Sequence, residues 1–438
     1  MGTPETQQVT RTKLDRISWL SKQDPEKKFE CLMHFFNSES LAGCFHRLDK
    51  DKAVGIDGVD KATYGRDLEG NLQGLLKRMR DMAYRPGPVR EVRIPKEGKP
   101  GATRLLGISN LEDKIVQRMV QQVLESIYEP LFLECSYGFR QGRSCHDAIQ
   151  ALLPHLYKNP IQTIIDVDLK NFFGTIDHQL LEGLLHEKIK DTKFMRYINR
   201  MFKAGVLADG EMRVSEEGVP QGSICSPILA NIFAHYAIDM WIKEMVQPHC
   251  KGSVRLFRYA DDMVICCEYD WDAQRIKRAL GKRLEKFRLQ LNEEKTKLVA
   301  FDKRQAARGV EQGTFDFLGF TFYIGKSRNG KMIPKIRTRA KTIRAKLNKV
   351  TAWIKKVRNR LPLREIWSIF AAKLRGHIQY YGVSHNSKRV EAFNDQAKRI
   401  VFKWLNRRSQ CRSFSWERFS LFMDRNPLPK VRIVHSLF

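Results

Sequence analysis

Several signatures of common protein classes are missing from this sequence. No run comes near the roughly 20 apolar residues a membrane-spanning helix needs, so no membrane protein of that kind is expected. The nine cysteines are scattered and odd in number, and no two have C-x-x-C spacing. That pattern speaks against a disulfide framework and a cysteine zinc site, and Cys266-Cys267 reads as strand interior in a reducing compartment. H-E-x-x-H, P-loop and G-x-G-x-x-G patterns do not occur, so zinc-protease, P-loop and dinucleotide readings lack local support. Met1 to Arg16 is polar and has no apolar core of a secretory signal, so the expected location is cytoplasmic, nucleoid-associated in a prokaryote. Acid is the scarce charge. Asp and Glu number 49 against 78 Lys and Arg, a net charge of +29. A surplus of that size points to a polyanionic partner, nucleic acid before an anionic membrane surface.

What is present is an ordinary globular composition of 438 residues, 42% hydrophobic and 29% charged, long enough for two or three domains. Helical runs are expected around Phe29 to Phe36 and Leu41 to Leu48. Two β-like runs between Pro88 and Ile108 flank a Gly/Pro-rich centre, Lys96 to Gly101, and predict a hairpin. Ser109 and Glu112 form a capping-box pattern ahead of a helix carrying Ile115, Met119, Val123 and Ile127. Residues 163–168 read as a buried strand ending in a carboxylate. Ser226 and Pro227 are the expected N-cap and first turn of an apolar helix. Val254 to Tyr259 and Met263 to Glu268 are β-like, with Asp261-Asp262 at the bend, and a helix through Ile276, Leu280, Leu284, Phe287 and Leu291 follows. Phe315 and Phe317 share one strand phase, Phe320 and Phe322 the opposite one. The change predicts a bulge or tight turn at Leu318-Gly319. Residues 331–360 hold twelve Lys or Arg and no acid, on a helical rhythm from Ala340 to Val357.

Three carboxylates, Asp168, Asp261 and Asp262, fall at predicted strand ends. Carboxylates crowded in one sheet repel unless a cation neutralises them, and Mg²⁺, hard and oxygen-seeking, suits the task. Asp-Asp at a bend is also ordinary turn chemistry, which taken alone is the better account. The flanking residues change that. Tyr259-Ala260-Asp261-Asp262 between apolar runs resembles the catalytic hairpin of reverse transcriptases. Asp166-Val167-Asp168-Leu169-Lys170-Asn171-Phe172-Phe173 is similar to their first palm motif, and Gly218-Val219-Pro220-Gln221-Gly222-Ser223 to the third. Leu291 to Thr296 and Phe317-Leu318-Gly319-Phe320 match later palm and primer-grip motifs, all in family order. Within that class, Lys52 to Asp60, Ser136-Tyr137-Gly138-Phe139-Arg140 and Gly376-His377-Ile378-Gln379-Tyr380-Tyr381-Gly382 resemble group II intron reverse transcriptase/maturases.

The resemblance implies an α+β fold: a right-hand polymerase, fingers and palm, followed by an all-α thumb or X domain. It divides the chain into an N-terminal extension (1–60), fingers and palm (61–325), thumb (326–405) and a short basic DNA-binding tail (406–438). No endonuclease domain is expected, since its Cys and His clusters are not seen, and Gly174 stands where the family often has an aspartate. Asp168, Asp261 and Asp262 would be catalytic and hold two Mg²⁺ ions, or Mn²⁺ as a substitute, with the Leu169 carbonyl as a further ligand. Phe173 would lie under the dNTP sugar, Gln221 at the nascent base pair, and Lys96 and Arg104 on the triphosphate. Lys295 would stand near the leaving pyrophosphate, and Leu318-Gly319 would grip the primer. Each has a plainer account: core packing for Phe173, a structural turn for Gln221, a solvated basic hairpin for Lys96 and Arg104, a surface lysine for Lys295. Arg337, Arg339, Lys341, Arg344, Lys346 and Lys349 would bind nucleic acid, because one-signed charge on a helix is self-repelling unless phosphates lie along it. Trp353, Trp367 and Trp404 would pack the thumb core.

The implied function is RNA-directed DNA synthesis on a template/primer duplex from dNTPs, with binding of group II intron RNA that assists splicing and retrohoming. Two alternatives stay open: a domesticated polymerase of this lineage in repair or phage defence, and an RNA-binding splicing maturase with a vestigial polymerase site. A basic membrane-associated protein ranks last, and a homodimer is compatible with the sequence.

Overall fold

The computed structural model describes residues 4–95, 103–208, 211–213, 217–218, 222–408 and 415–437. Its strands are β1 (Val89–Pro95), β2 (Thr103–Ile108), β3 (Thr163–Val167), β4 (Val206–Ala208), β5 (Glu211–Arg213), β6 (Val254–Tyr259), β7 (Asp262–Cys267), β8 (Lys297–Ala300), β9 (Phe315–Phe317), β10 (Phe320–Lys326) and β11 (Met332–Thr338). Its longer helices are α1 (Pro4–Gln23), α2 (Ser38–His46), α3 (Leu68–Arg80), α4 (Leu111–Tyr128), α5 (Cys145–Lys158), α6 (His178–His186), α7 (Thr192–Phe202), α8 (Ser226–Ala234), α9 (Asp270–Lys286), α10 (Ala340–Val357), α11 (Leu363–Tyr381), α12 (Ser387–Leu405) and α13 (Trp416–Arg425). The fold is α+β, and no described helix is long and apolar enough to cross a membrane.

A four-stranded antiparallel sheet in the order β6-β7-β3-β8 organises the centre. Side chains alternate between the faces of a strand, and both faces of β3 and β7 are covered. Ile165, Val167, Met263 and Ile265 enter one core with α4, α6, α7 and α8. Ile164, Val264 and Cys266 enter a second with α5 and the phenylalanines of β9 and β10. The adjacent Ile164 and Ile165 therefore enter opposite cores, as expected of the buried strand read over 163–168, with Asp166 the half-buried exception.

The phase change at Leu318-Gly319 is a two-residue hairpin turn. Both residues are left-handed, Leu318 at φ 51 and Gly319 at φ 81, the primed-turn geometry that matches strand twist. It pairs Phe317 with Phe320 and Phe315 with Phe322, so residues in opposite sequence phase meet on one face. All four rings are buried, and Phe315 stacks on Phe322 with centroids 4.9 Å apart.

Several expectations are corrected. Phe29 to Phe36 is not a helix: Phe29 forms a parallel bridge to Ile189, and only a 3-10 turn, Met33–Phe35, follows. The Ser109/Glu112 capping box does not form. Asn110 is the N-cap, Ser109 accepts from Gln117, and Glu112 is drawn to Arg78 at 2.8 Å. Cys225, not Ser226, stands at the N-cap position of α8, and its side chain makes no capping bond. Helix α9 ends at Lys286, and Leu291 bridges Leu169 instead. Residues 326–338 are not part of an all-α module, because β10 ends at Lys326 and β11 supplies the third strand of the β9–β10 sheet. The helices begin at Ala340, and α10 to α13 close a third core around Ile354, Trp367, Phe370, Phe393 and Phe419. Trp367 is buried there, with Trp353 and Trp404 packed at its edge. The segment expected as a short tail contributes to two cores: Phe419 to this one and Leu437, 1% exposed, to the second.

Candidate functional site

The β3–β7 register pairs Val167 with Met263, so the next step sets Asp168 across from Asp262. Tyr259 pairs with Asp262, leaving Ala260-Asp261 as the two residues of the β6–β7 bend, with Ala260 left-handed at φ 57. Asp166 and Asp168 share the face of Ile164, and Asp262 continues the face of Val264. Beyond the apolar stretch, that face therefore ends in carboxylates. Burial, reinforced by Asp261 and Asp168, pushes the Asp262 carboxyl up to about 6, against the Leu318 N–H and Arg339. Burial, with Asp262, Asp316 and Asp168 behind it, raises Asp166 to about 7. An oxygen-only donor set whose members disfavour one another's ionisation fits a hard divalent cation.

The carboxylates are brought to one sheet end without converging. Among the described residues, no three Asp, Glu, His or Cys side chains form a group able to hold a metal. Asp168 instead accepts from Asn292 Nδ2 at 3.0 Å and from Lys295 Nζ, 3.0 Å to Oδ1 and 3.3 Å to Oδ2. Lys295 is thus gathered into the site against a carboxylate. The loop carrying both partners is tied down by the Asn292 N–H, which donates to the Asp168 carbonyl at 2.8 Å. Leu169 follows, buried.

Phe173 is partly buried, edge-on to the exposed Phe139 with centroids 6.1 Å apart, whereas Phe172 is core. Lys96 and Gln221 lie outside the described residues. Arg104 sits in β2 opposite Ile94, its side chain likewise outside the described part. Leu318 and Gly319 are next to the carboxylates, the Leu318 N–H donating to Asp262 Oδ2 at 3.2 Å. The six basic residues do not form one helix face. Arg337 is on β11 over the Tyr323 ring, Arg339 precedes α10 and lies 3.8 Å from Asp316, and Lys346 sits over Tyr381. Lys341, Arg344 and Lys349 are exposed on α10.

Sequence reasoning missed Arg258. It is wholly buried beneath the bend and pairs twice with Asp239, at 2.7 and 2.5 Å. It also donates to Asn231 Oδ1, Ser136 Oγ and the Ala260 carbonyl, at 3.1, 2.8 and 3.2 Å. Asn231 in turn donates to the Gly138 carbonyl at 2.7 Å. The available signal was a guanidinium in the inward phase of a β-like run, since an arginine is fully buried only when paired. Gly138 shows how close the packing is: a Cβ there would stand 2.4 Å from the Ala260 nitrogen.

Residues 94–322, just over half the chain, match the family described as Reverse transcriptase (RNA-dependent DNA polymerase). With that match, the sheet and its acidic end define a reverse transcriptase domain, whose fold is the right-hand polymerase. Group II intron-encoded protein LtrA of Lactococcus lactis subsp. cremoris is 27% identical over 87% of this chain and 75% of its own. Protein YkfC of Escherichia coli K12 is 33% identical over 64% of this chain and 78% of its own. Nuclear intron maturase 3, mitochondrial, of Arabidopsis thaliana is 30% identical over 29% of this chain and 18% of its own. The chain belongs to the group II intron reverse transcriptase/maturase family.

Proposed function

We propose that this protein is an RNA-directed DNA polymerase that extends a primer 3′-end with dNTPs and also binds group II intron RNA, assisting splicing and retrohoming. The observation that carries the reading is the β3–β7 register, whose last pair, Val167 with Met263, brings Asp168 and Asp262 to one end of the sheet, with Asp261 at the adjoining bend. Asp168, Asp261 and Asp262, with the Leu169 carbonyl, would hold Mg²⁺. When bound, two such ions lower the barrier to in-line attack by the primer hydroxyl and stabilise the leaving pyrophosphate. Lys295 neutralises Asp168 before loading and is positioned to meet phosphate oxygens once it leaves that carboxylate. Phe173 bounds the sugar pocket, while the motif resemblance assigns Gln221 to the nascent base pair and Lys96 and Arg104 to the triphosphate. In this reading 1–60 is an N-terminal extension, fingers and palm run to about residue 325, and helices α10 to α12 are the thumb. Lys341, Arg344 and Lys349 on α10 supply phosphate contacts, and salt weakens binding by counterion release.

A second reading, a splicing maturase without polymerase activity, draws support from one feature: Lys295 occupies Asp168 and the acids do not converge. Primer extension on an RNA template with dNTPs and Mg²⁺ separates the two. Extension by wild type that vanishes in Asp261→Ala supports the polymerase. Tight RNA binding with no DNA made supports the maturase.

A further inference from the structure

Leu318 is held in a conformation that L-residues with a branched side chain rarely adopt. Its φ of 51 has no glycine to excuse it, and such a residue persists only where its surroundings over-determine it. Both of its backbone polar groups are engaged. The N–H donates to Asp262 Oδ2 at 3.2 Å, and the carbonyl accepts from the Tyr380 hydroxyl at 3.0 Å. Tyr380 belongs to the last turn of α11, 62 residues away in the chain.

The Tyr380 ring is itself fixed. Phe320 stacks on it with centroids 5.8 Å apart, inclined by 16°. His146, at the start of α5, meets it edge-on at 5.1 Å and donates from Nε2 to the Tyr380 carbonyl at 2.8 Å. The neighbouring Tyr381 covers the other half of the turn. A Cβ at Gly319 would lie 3.1 Å from its hydroxyl oxygen. A helix of the thumb thus closes over the turn from outside, while an acidic side chain of the sheet accepts from its inner face.

We propose that Tyr380 is a positioning residue of the polymerase site: by holding the Leu318 carbonyl it keeps the Leu318 N–H aimed at Asp262 and so orients that carboxylate for metal. The inference rests on the polymerase reading and extends it, since it makes seating of α11 a condition for assembling the metal ligands. Removing the hydroxyl frees the strained turn to relax, and Asp262 loses its aligned donor. Asp262, no longer held in one orientation by that donor, must then be ordered when metal binds and is a poorer ligand. The ring contacts with Phe320 and His146 survive, so α11 stays docked.

The test compares full-length wild type with Tyr380→Phe. Mn²⁺ binding without dNTP, followed by electron paramagnetic resonance, is read beside kcat, KM for dNTP and duplex affinity. Expected is Mn²⁺ affinity weaker by about 3- to 10-fold, the range one hydrogen bond spans. A lower kcat should accompany it, with KM and duplex affinity within about 2-fold of wild type. Unchanged Mn²⁺ affinity overturns the proposal, as does a loss confined to duplex affinity. Should Tyr380→Phe fold poorly, the comparison is made in a Leu318→Gly background. Glycine adopts the positive φ without help, so Leu318→Gly with and without Tyr380→Phe should bind Mn²⁺ within about 2-fold of each other, and a loss of about 3- to 10-fold on adding Tyr380→Phe there overturns the coupling. The two readings fail separately. Wild type that binds Mn²⁺ but extends no primer refutes the polymerase. Wild type that extends while Tyr380→Phe matches its Mn²⁺ affinity refutes the positioning role.

Discussion

His377 lies inside the helical module, 3% exposed, its ring stacked on Phe393 with centroids 3.7 Å apart. Neither ring nitrogen has a hydrogen-bond partner among the described residues. Burial, aided by Lys346, drives its pKa from 6.5 down to about 3. A histidine whose folded pKa is depressed binds its proton more readily unfolded, so the unfolded state gains protons first as pH falls. Its contribution is therefore present at pH 7 and is lost from about 6.5 downward toward the folded pKa. Between pH 7 and 5 the unfolded imidazole goes from mostly neutral to mostly charged while the folded one stays neutral. That difference is worth about 2 kcal/mol. His377→Leu removes the titration at similar volume. The variant should lose about 2 kcal/mol less than wild type between pH 7 and 5. At pH 7 it should be no less stable, since two unpaired buried nitrogens go with the ring. Urea unfolding followed by tryptophan fluorescence measures both, with Trp353, Trp367 and Trp404 reporting from the same module. His155 and His235, pushed by burial to about 4, are common to both proteins and cancel. Equal pH dependence in wild type and variant would refute the reasoning.

Two further outcomes are expected of the support beneath the bend. Arg258→Met should destabilise the protein by about 3–5 kcal/mol by leaving Asp239 charged and alone in the core, and Arg258→Met with Asp239→Leu should restore most of it. Urea midpoints check this, and a double variant no better than the single would show that the pair is not what matters. Gly138→Ala should reduce primer extension by about 100-fold, because its Cβ meets the Ala260 nitrogen and the Asp261-Asp262 bend must shift. Retained activity in a well-folded variant would show that the bend tolerates displacement.

Local chemistry made much of this molecule legible. The β-like runs at 163–168, 254–259 and 263–268 carry their own strand signal, and Asp168, Asp261 and Asp262 stand out at their ends. The helical rhythm of 340–357 was equally plain. Misreadings came where a segment's partner is distant in sequence. Residues 332–338 are a strand because β10 offers an edge and Phe322 packs over Ile336, which the run of basic residues concealed. Phe29 is extended because Ile189 is beside it. The same limit applies to the site. Which residues carry the charge, and that three acids lie at strand ends, could be read along the chain, because side-chain chemistry and period are local properties. That Lys295 meets Asp168, that Arg258 supports the bend and that Tyr380 reaches Leu318 across 62 residues emerged with the folded chain. Those contacts depend on chain closure and on burial of polar groups that must find partners, and neither is written in any short stretch of sequence.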